Sequence, residues 1–317
     1  MRHMTTAEAK APRLGKKKTS LWTQVLKNKH IYVILLPTIL FYLIFHYAPM
    51  GGLVIAFQKF SVTKGMLGSA WVGLKNFEAF LSDVYFWRLL RNTLMINFWG
   101  LLFGFPTPII LALLLNEIKQ ERFKKTVQTI TYMPHFLSVV VVSSLVLTFV
   151  SSNGFINAII KMCGGESIAF MSDPKYFRTI YVISDVWQQI GWNSILYISA
   201  LSGIDQELYE AATIDGAGRW AKLWHITIPG ILGTIMITLI MRIGRMLSLG
   251  YDKIILLYNS SIYETADVIS TYVYRRGLLE ADYSYSTAVG MFNSIFNFIF
   301  LMAANTFSKK ATGSGLW

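Results

Sequence analysis

The stretch EAATIDGAGRWAKLWHITIP, Glu210 to Pro229, mixes acids, bases, small residues and aromatics between two strongly apolar runs. Its local chemistry predicts two short helices joined by a turn. Asp205 can cap a helix running to about Asp215. Gly216 is a natural left-handed stop. A second short helix follows from Arg219 to His225, and Pro229 opens the next apolar run where its missing N–H costs little. Ala211 and Ala212 leave the first helix flat enough for close approach by another surface, and Glu207 and Glu210 leave it acidic. A plain connector needs neither feature, although an ordinary ordered connector would fit most loops of this length.

The surrounding chain is apolar enough to explain why such a loop stands out. Of 317 residues, 54% are hydrophobic and only 15% charged, against about a quarter charged in a soluble domain. Six runs approach the ~20 residues needed to cross a hydrocarbon core. They cover about 31–57, 92–115, 127–150, 179–203, 228–250 and 284–307, the first with a break at Pro49-Met50-Gly51-Gly52. The expected fold class is therefore an all-α integral membrane protein. Its organisation is a basic segment 1–30, a transmembrane body 31–310 that carries the polar loop 204–229, and a tail 311–317. Residues 1–20 are expected to be disordered.

Lysine and arginine set the orientation. If the N-terminus is cytoplasmic, sixteen of the 29 basic residues fall in the shorter inner segments and eleven in the longer outer loops. That bias places both termini and loop 204–229 in the cytoplasm. It also accounts for the net charge of +12 without nucleic acid, for which no binding motif is present. The first apolar run is too long for a signal peptide and lacks a small-residue cleavage site, so it reads as an uncleaved helix.

Independent chemistry is absent from the pattern. Cys163 is the single cysteine, and the five histidines show no ligand spacing. No GxxxxGK[ST] loop, HExxH or serine triad motif occurs, so neither ATP hydrolysis nor metal catalysis is expected in this chain.

The spacing of the opening stretch resembles a known signature. Glu210-Ala211-Ala212, three residues, Gly216, nine residues and Ile226-x-Ile228-Pro229 is similar to the EAA loop of bacterial binding-protein-dependent ABC importer permeases, with Ile228 where leucine is usual. Asp215 and Ala217 resemble the carbohydrate-uptake branch. YAPMGGLVIAF (47–57), the stretch from Ile180 to Trp220, and GYDKIILLYNSSIYETADVISTYVYRRGL (250–278) look like its complex-oligosaccharide subgroup, which includes alginate-type and rhamnogalacturonan-type permeases. The resemblance implies a type I importer fold of six spans in the bacterial cytoplasmic membrane. It implies a second, different permease as partner, two ATP-binding subunits that hold ATP and magnesium, an extracytoplasmic sugar-binding protein and an oligosaccharide cargo. It further implies that Glu207, Glu210, Ala211, Ala212, Asp215, Gly216 and Arg219 dock on the ATPase. A channel or secondary transporter would share the apolar runs but has no use for such a dock.

Polar residues within the runs are the candidates for a sugar path, because charges inside a bilayer usually face a cavity or a partner. They are Asp185, Gln188, Gln189, Trp192 and Asn193 in the fourth run, Arg242 and Arg245 in the fifth, Tyr251 beyond it, and Asn293 and Asn297 in the sixth. Arg242 lies 14 residues past Ile228, about 21 Å along a helix at ~1.5 Å per residue. Three accounts stay open for the arginines: snorkelling to the outer interface, pairing with Asp185 to fix helix packing, or binding a substrate carboxylate together with Arg275 and Arg276. Trp192 can serve the path or the interfacial belt. His135, beside Pro134, reads as a residue of a helix bend.

Overall fold

The computed structural model describes residues 27–317; most of the basic segment 1–30, with its expected disorder over 1–20, lies outside them. The chain divides at Gly52 into two compact units. In the first, helix α1 (Lys29–Tyr42) passes through a π turn, Leu43–Tyr47, into Ala48–Met50. The break expected at Pro49-Met50-Gly51-Gly52 is instead a change of helix type. The widened turn before Pro49 absorbs its missing N–H, and 3-10 winding follows from Gly51 to Phe57.

The second unit begins with a two-stranded antiparallel ribbon, β1 (Gln58–Lys59) and β2 (Ala70–Trp71), paired Gln58 to Trp71 and Lys59 to Ala70. Helices α2 (Lys75–Leu81), α3 (Phe86–Gly104) and α4 (Pro106–Glu117) follow. Then come α5 (Glu121–Tyr132), α6 (Val139–Val150), α7 (Phe155–Met162) and α8 (Pro174–Ser202). Asp173 and Pro174 start α8, the carboxylate accepting from the Lys175 N–H at 3.0 Å. Among the described residues, five helical runs are long and apolar enough to cross a membrane: Lys29–Phe57, Phe86–Glu117, Val139–Met162, Arg219–Ile243 and Tyr283–Thr312. The 29-residue α8 is long enough but carries Asp185, Gln188, Gln189 and Asn193, which dilute its apolar character.

Two expected spans shift. The run 127–150 is interrupted: a 3-10 turn, Met133–Phe136, holds Pro134, Leu137 is extended, and Ser138 caps α6 by accepting from the Val141 N–H at 3.3 Å. Average hydropathy passes smoothly over this corner, so only the proline and the cap mark it. The run 228–250 ends early, because helix α11 (Ile228–Ile243) stops at Gly244. The side-chain amide of Asn297 then holds the released chain. Its oxygen accepts from the Leu247 N–H at 2.9 Å and its nitrogen donates to Ser248 Oγ at 2.8 Å.

Helix α8 sits centrally, packed against α3, α4, α5 and α11. Its contact with α5 is close: Gly191 faces the Thr131 carbonyl, and any Cβ there would collide with backbone. Small residues at such crossings let backbones approach, which supplies helix association where lipid offers no hydrophobic drive. Helix α14 (Tyr283–Thr312) packs on α2 and α11 and ends at left-handed Gly313.

The segment 251–283, expected as an outer loop, folds into short helices, among them α12 (Tyr251–Leu257) and α13 (Ile269–Tyr274). Ile254, Leu257, Ile262 and Val268 join Ile96, Phe177 and Val182 in one core cluster. Polar bonds lock this cap. Fully buried Asp267 accepts from Arg275 at 2.9 and 2.7 Å and from Thr271 at 2.8 Å. Asn92 of α3 donates to the carbonyls of Glu264 and Asp267 and accepts from Arg178 of α8 at 2.8 Å. Asp83 accepts from Tyr272 at 2.6 Å and Tyr285 at 2.7 Å. Burial works against the Asp83 charge, but these hydroxyls and the Tyr85 N–H hold its pKa below the usual carboxylate value. Burial and the bond to Asp83 push the Tyr272 phenol up to about 12.

Candidate functional site

Loop 204–229 folds nearly as its residues demand. The Asp205 carboxylate accepts from the Glu207 N–H at 3.0 Å and caps helix α9 (Gln206–Ile214). Gly216 has φ +77°, a conformation that a β-carbon disfavours. The second helix, α10 (Arg219–Lys222), is not the separate piece expected over Arg219–His225. It continues through a π turn, Leu223–Thr227, directly into α11. The reason is Pro229: a widened turn placed ahead of it frees the carbonyl that its ring would otherwise meet. Two side-chain bonds brace the loop, Tyr209 with Thr227 at 2.9 Å and Lys222 to Thr213 at 2.7 Å. Glu207, Glu210, Asp215 and Arg219 stay exposed and form no ion pair among the described residues. Beside them Ile214 is 87% and Trp220 74% exposed. A braced loop whose charges are uncommitted and whose large apolar groups face outward is built to be covered by another surface.

A cavity of about 570 Å³ opens between α3, α4, α8 and α11. Asp185, Trp192, Asn193, Arg242 and Arg245 all line it, with Tyr181, Tyr197, Thr238 and Ser248. Its size suits a sugar residue or two, since small-molecule sites run to ~300–1,000 Å³. The Arg242 guanidinium lies over Gly100 and Gly104 of α3, one helical turn apart; a Cβ on Gly100 would stand 3.4 Å from Nη2. Arg245 falls in the turn after α11 rather than on the helix, yet reaches the same wall.

The expected pairing of these arginines with Asp185 does not occur. The ionic partner of Asp185 is Lys253, at 3.9 Å. Neither Arg242 nor Arg245 forms an ion pair or side-chain hydrogen bond among the described residues. Arg275 and Arg276, the other cations considered for cargo, are committed elsewhere: Arg275 to Asp267, Arg276 to Glu280 at 2.8 Å and Asp282 at 3.9 Å. Burial alone would lower the Arg275 pKa, but the Asp267 bonds carry it above its ordinary value.

Five of the residues singled out in the sequence lie off this wall. Gln188 is buried and donates to the Leu137 carbonyl at 3.4 Å. Gln189 bonds His135 Nδ1 at 3.0 Å, and the His135 ring stacks on Trp192 at 4.3 Å, so the bend residue backs a cavity residue. Tyr251 stacks on Tyr274 at 5.3 Å. Asn293 is on α14 with a buried, unpartnered oxygen, and Asn297 holds the end of the fifth run as described. Sequence reasoning did not single out Lys253, Tyr181 or Gly100. Lys253 sits in a segment read as loop, and nothing in its neighbours' pattern signals burial.

Comparison with known proteins agrees with this architecture. Residues 104–311 match the family described as binding-protein-dependent transport system inner membrane component. Protein LplB of Bacillus subtilis (strain 168) is 45% identical over 97% of each chain. The polygalacturonan/rhamnogalacturonan transport system permease protein YteP of the same organism is 42% identical over 99% of this chain and 100% of its own length. A chain of a bacterial alginate ABC transporter, solved in complex with an alginate pentasaccharide-bound periplasmic protein, superposes with a TM-score of 0.85 at 42% identity, covering 93% of this chain and 99% of that one. With the family spanning most of the folded body and near-full-length relatives on either side of it, this chain belongs to the inner membrane components of binding-protein-dependent transport systems, as a translocation subunit with the ABC permease fold.

Proposed function

We propose that this chain is the permease subunit of an ATP-driven importer of acidic oligosaccharides. It crosses the bacterial cytoplasmic membrane six times, with α8 as the polar fourth span and both termini inside. It supplies half of the path, a second and different permease supplies the rest, and two ATP-binding subunits dock on the α9 loop. An external binding protein delivers the sugar. Nucleotide-driven closure of the ATPases moves the spans between inward- and outward-open states, because each ligand binds one state better than the other.

The observation that carries the ATP-driven part is the α9 loop: a capped helix, a left-handed Gly216 and exposed, uncommitted side chains in the EAA spacing. The observation behind the acidic cargo is the pair of unpaired arginines on the cavity wall. Uronate carboxylates would gain charge-assisted hydrogen bonds there, and relatives named for polygalacturonan and alginate handle uronate polymers. Coupling is tested by ATP hydrolysis of the reconstituted assembly, with and without loaded binding protein. Gly216→Val and Glu210→Lys are expected to abolish the stimulation while the chain still inserts and assembles with its partner permease. Wild-type stimulation in both variants would reject the docking assignment.

A further inference from the structure

The cavity wall carries an acid among its cations. Asp185 lines it with a side chain 31% exposed, so an anionic sugar drawn toward Arg242 and Arg245 meets a repelling carboxylate. Behind Asp185 lies Lys253 of α12. Its side chain is only 8% exposed, its ammonium stands 3.9 Å from Asp185 Oδ1 and 5.3 Å from the centre of the Tyr181 ring, and it has no hydrogen-bond acceptor among the described residues.

Lysines are almost never buried unless paired, since an ammonium loses its hydration there. This one does not behave as a packing strut. A strut closes to hydrogen-bonding distance, as Arg275 does on Asp267 at 2.7 Å, whereas 3.9 Å exceeds any N–H···O bond. What Lys253 delivers to Asp185 is charge. The groups that face the pair are Tyr181 on α8 and, across the cavity, Arg242 and Arg245; the neighbouring Asp252 is exposed.

Building on the acidic-cargo reading above, we propose that Lys253 is a specificity-determining residue of the transport cavity. It neutralises Asp185 from behind, so that the wall stays positive toward a uronate-bearing oligosaccharide. Without it, one wall acid would stand uncompensated beside the two arginines, in a confined space where charges are weakly screened.

The test uses the complete importer in proteoliposomes, with tri-galacturonate and its methyl ester as matched acidic and neutral probes. Each rate is taken relative to wild type on the same probe. Lys253→Met is expected to slow tri-galacturonate uptake about tenfold, equivalent to about 1.4 kcal/mol, with methyl-ester uptake and the thermal midpoint of the assembly unchanged. Adding Asp185→Asn removes the uncompensated acid and should restore tri-galacturonate uptake to near the wild-type rate. An unchanged rate in Lys253→Met, equal losses on both probes, or a double variant no faster than the single one would overturn the proposal. If Lys253→Met fails to assemble, the double variant decides: it should assemble and carry both probes, and its failure is equally fatal. Arg242→Gln, run in parallel, separates this inference from the reading beneath it. Equal loss on both probes in that variant refutes the acidic cargo itself; loss on the acid alone, with Lys253→Met silent, leaves the acidic cargo standing and removes Lys253 from it.

Discussion

Two aspartates show how differently one side chain can be used within this unit. Asp267 is fully buried and saturated, with Arg275 bidentate, Thr271 donating and Arg88 at 3.6 Å. Asp185 is half open to a cavity and touches one cation loosely. Removing a partner from a buried, hydrogen-bonded pair leaves the other charge stranded, which costs about 3–5 kcal/mol. Asp267→Ala is therefore expected to lower the thermal midpoint of the purified protein strongly, because Arg275 loses its carboxylate and the cap over 251–283 loses its centre. Asp185→Asn takes the counter-ion from buried Lys253 but breaks no hydrogen bond, so its shift should be clearly smaller. The comparison is a pair of unfolding curves in one detergent, and equal shifts would contradict this division of roles.

At the scale of an element, helix α9 depends on its ends. It has nine residues, no buried side chain and one carboxylate cap. Helices this short are marginal by themselves in water, so the cap from Asp205 and the Tyr209–Thr227 brace carry an unusual share of its order. Losing such a cap costs about 1 kcal/mol. Asp205→Ala is expected to raise amide hydrogen exchange roughly five- to tenfold across 206–214, with exchange in α8 and α11 unchanged, as read by mass spectrometry. Uniform protection across both proteins would show that the surrounding loop, rather than its cap, holds the helix.

Across the whole second unit, the cavity is a product of packing between distant stretches. Its wall draws on residues from Ile96 to Gly250, and the Arg242 guanidinium of α11 lies over Gly100 and Gly104 of α3. Since neither wall arginine holds a helix in place through an ion pair, Arg242→Gln is expected to leave assembly with the partner subunits intact. It should slow uptake of acidic oligosaccharides about tenfold, one lost charge-assisted contact, and neutral ones much less. Uptake of matched probes beside size-exclusion profiles of the assembly measures both. A variant that fails to assemble would return Arg242 to a packing role.

The sequence by itself determined the membrane class and the α9 loop. The reason is that both depend on local information: long apolar runs, an aspartate cap, a glycine forced to positive φ and a spaced signature that carries the family resemblance. It misplaced the corner at Met133–Ser138 and the end of the fifth run at Ile243, where hydropathy averages across a change of direction. Ion pairing was decided only by tertiary structure. Asp185 meets Lys253 and not Arg242, and Arg275 is withdrawn into Asp267, because which charges meet depends on how separate helices pack. The segment 251–283 reads as a loop for the same reason. Its short helices have little stability alone and exist because their apolar faces close on α3 and α8, a surface that only the folded chain provides.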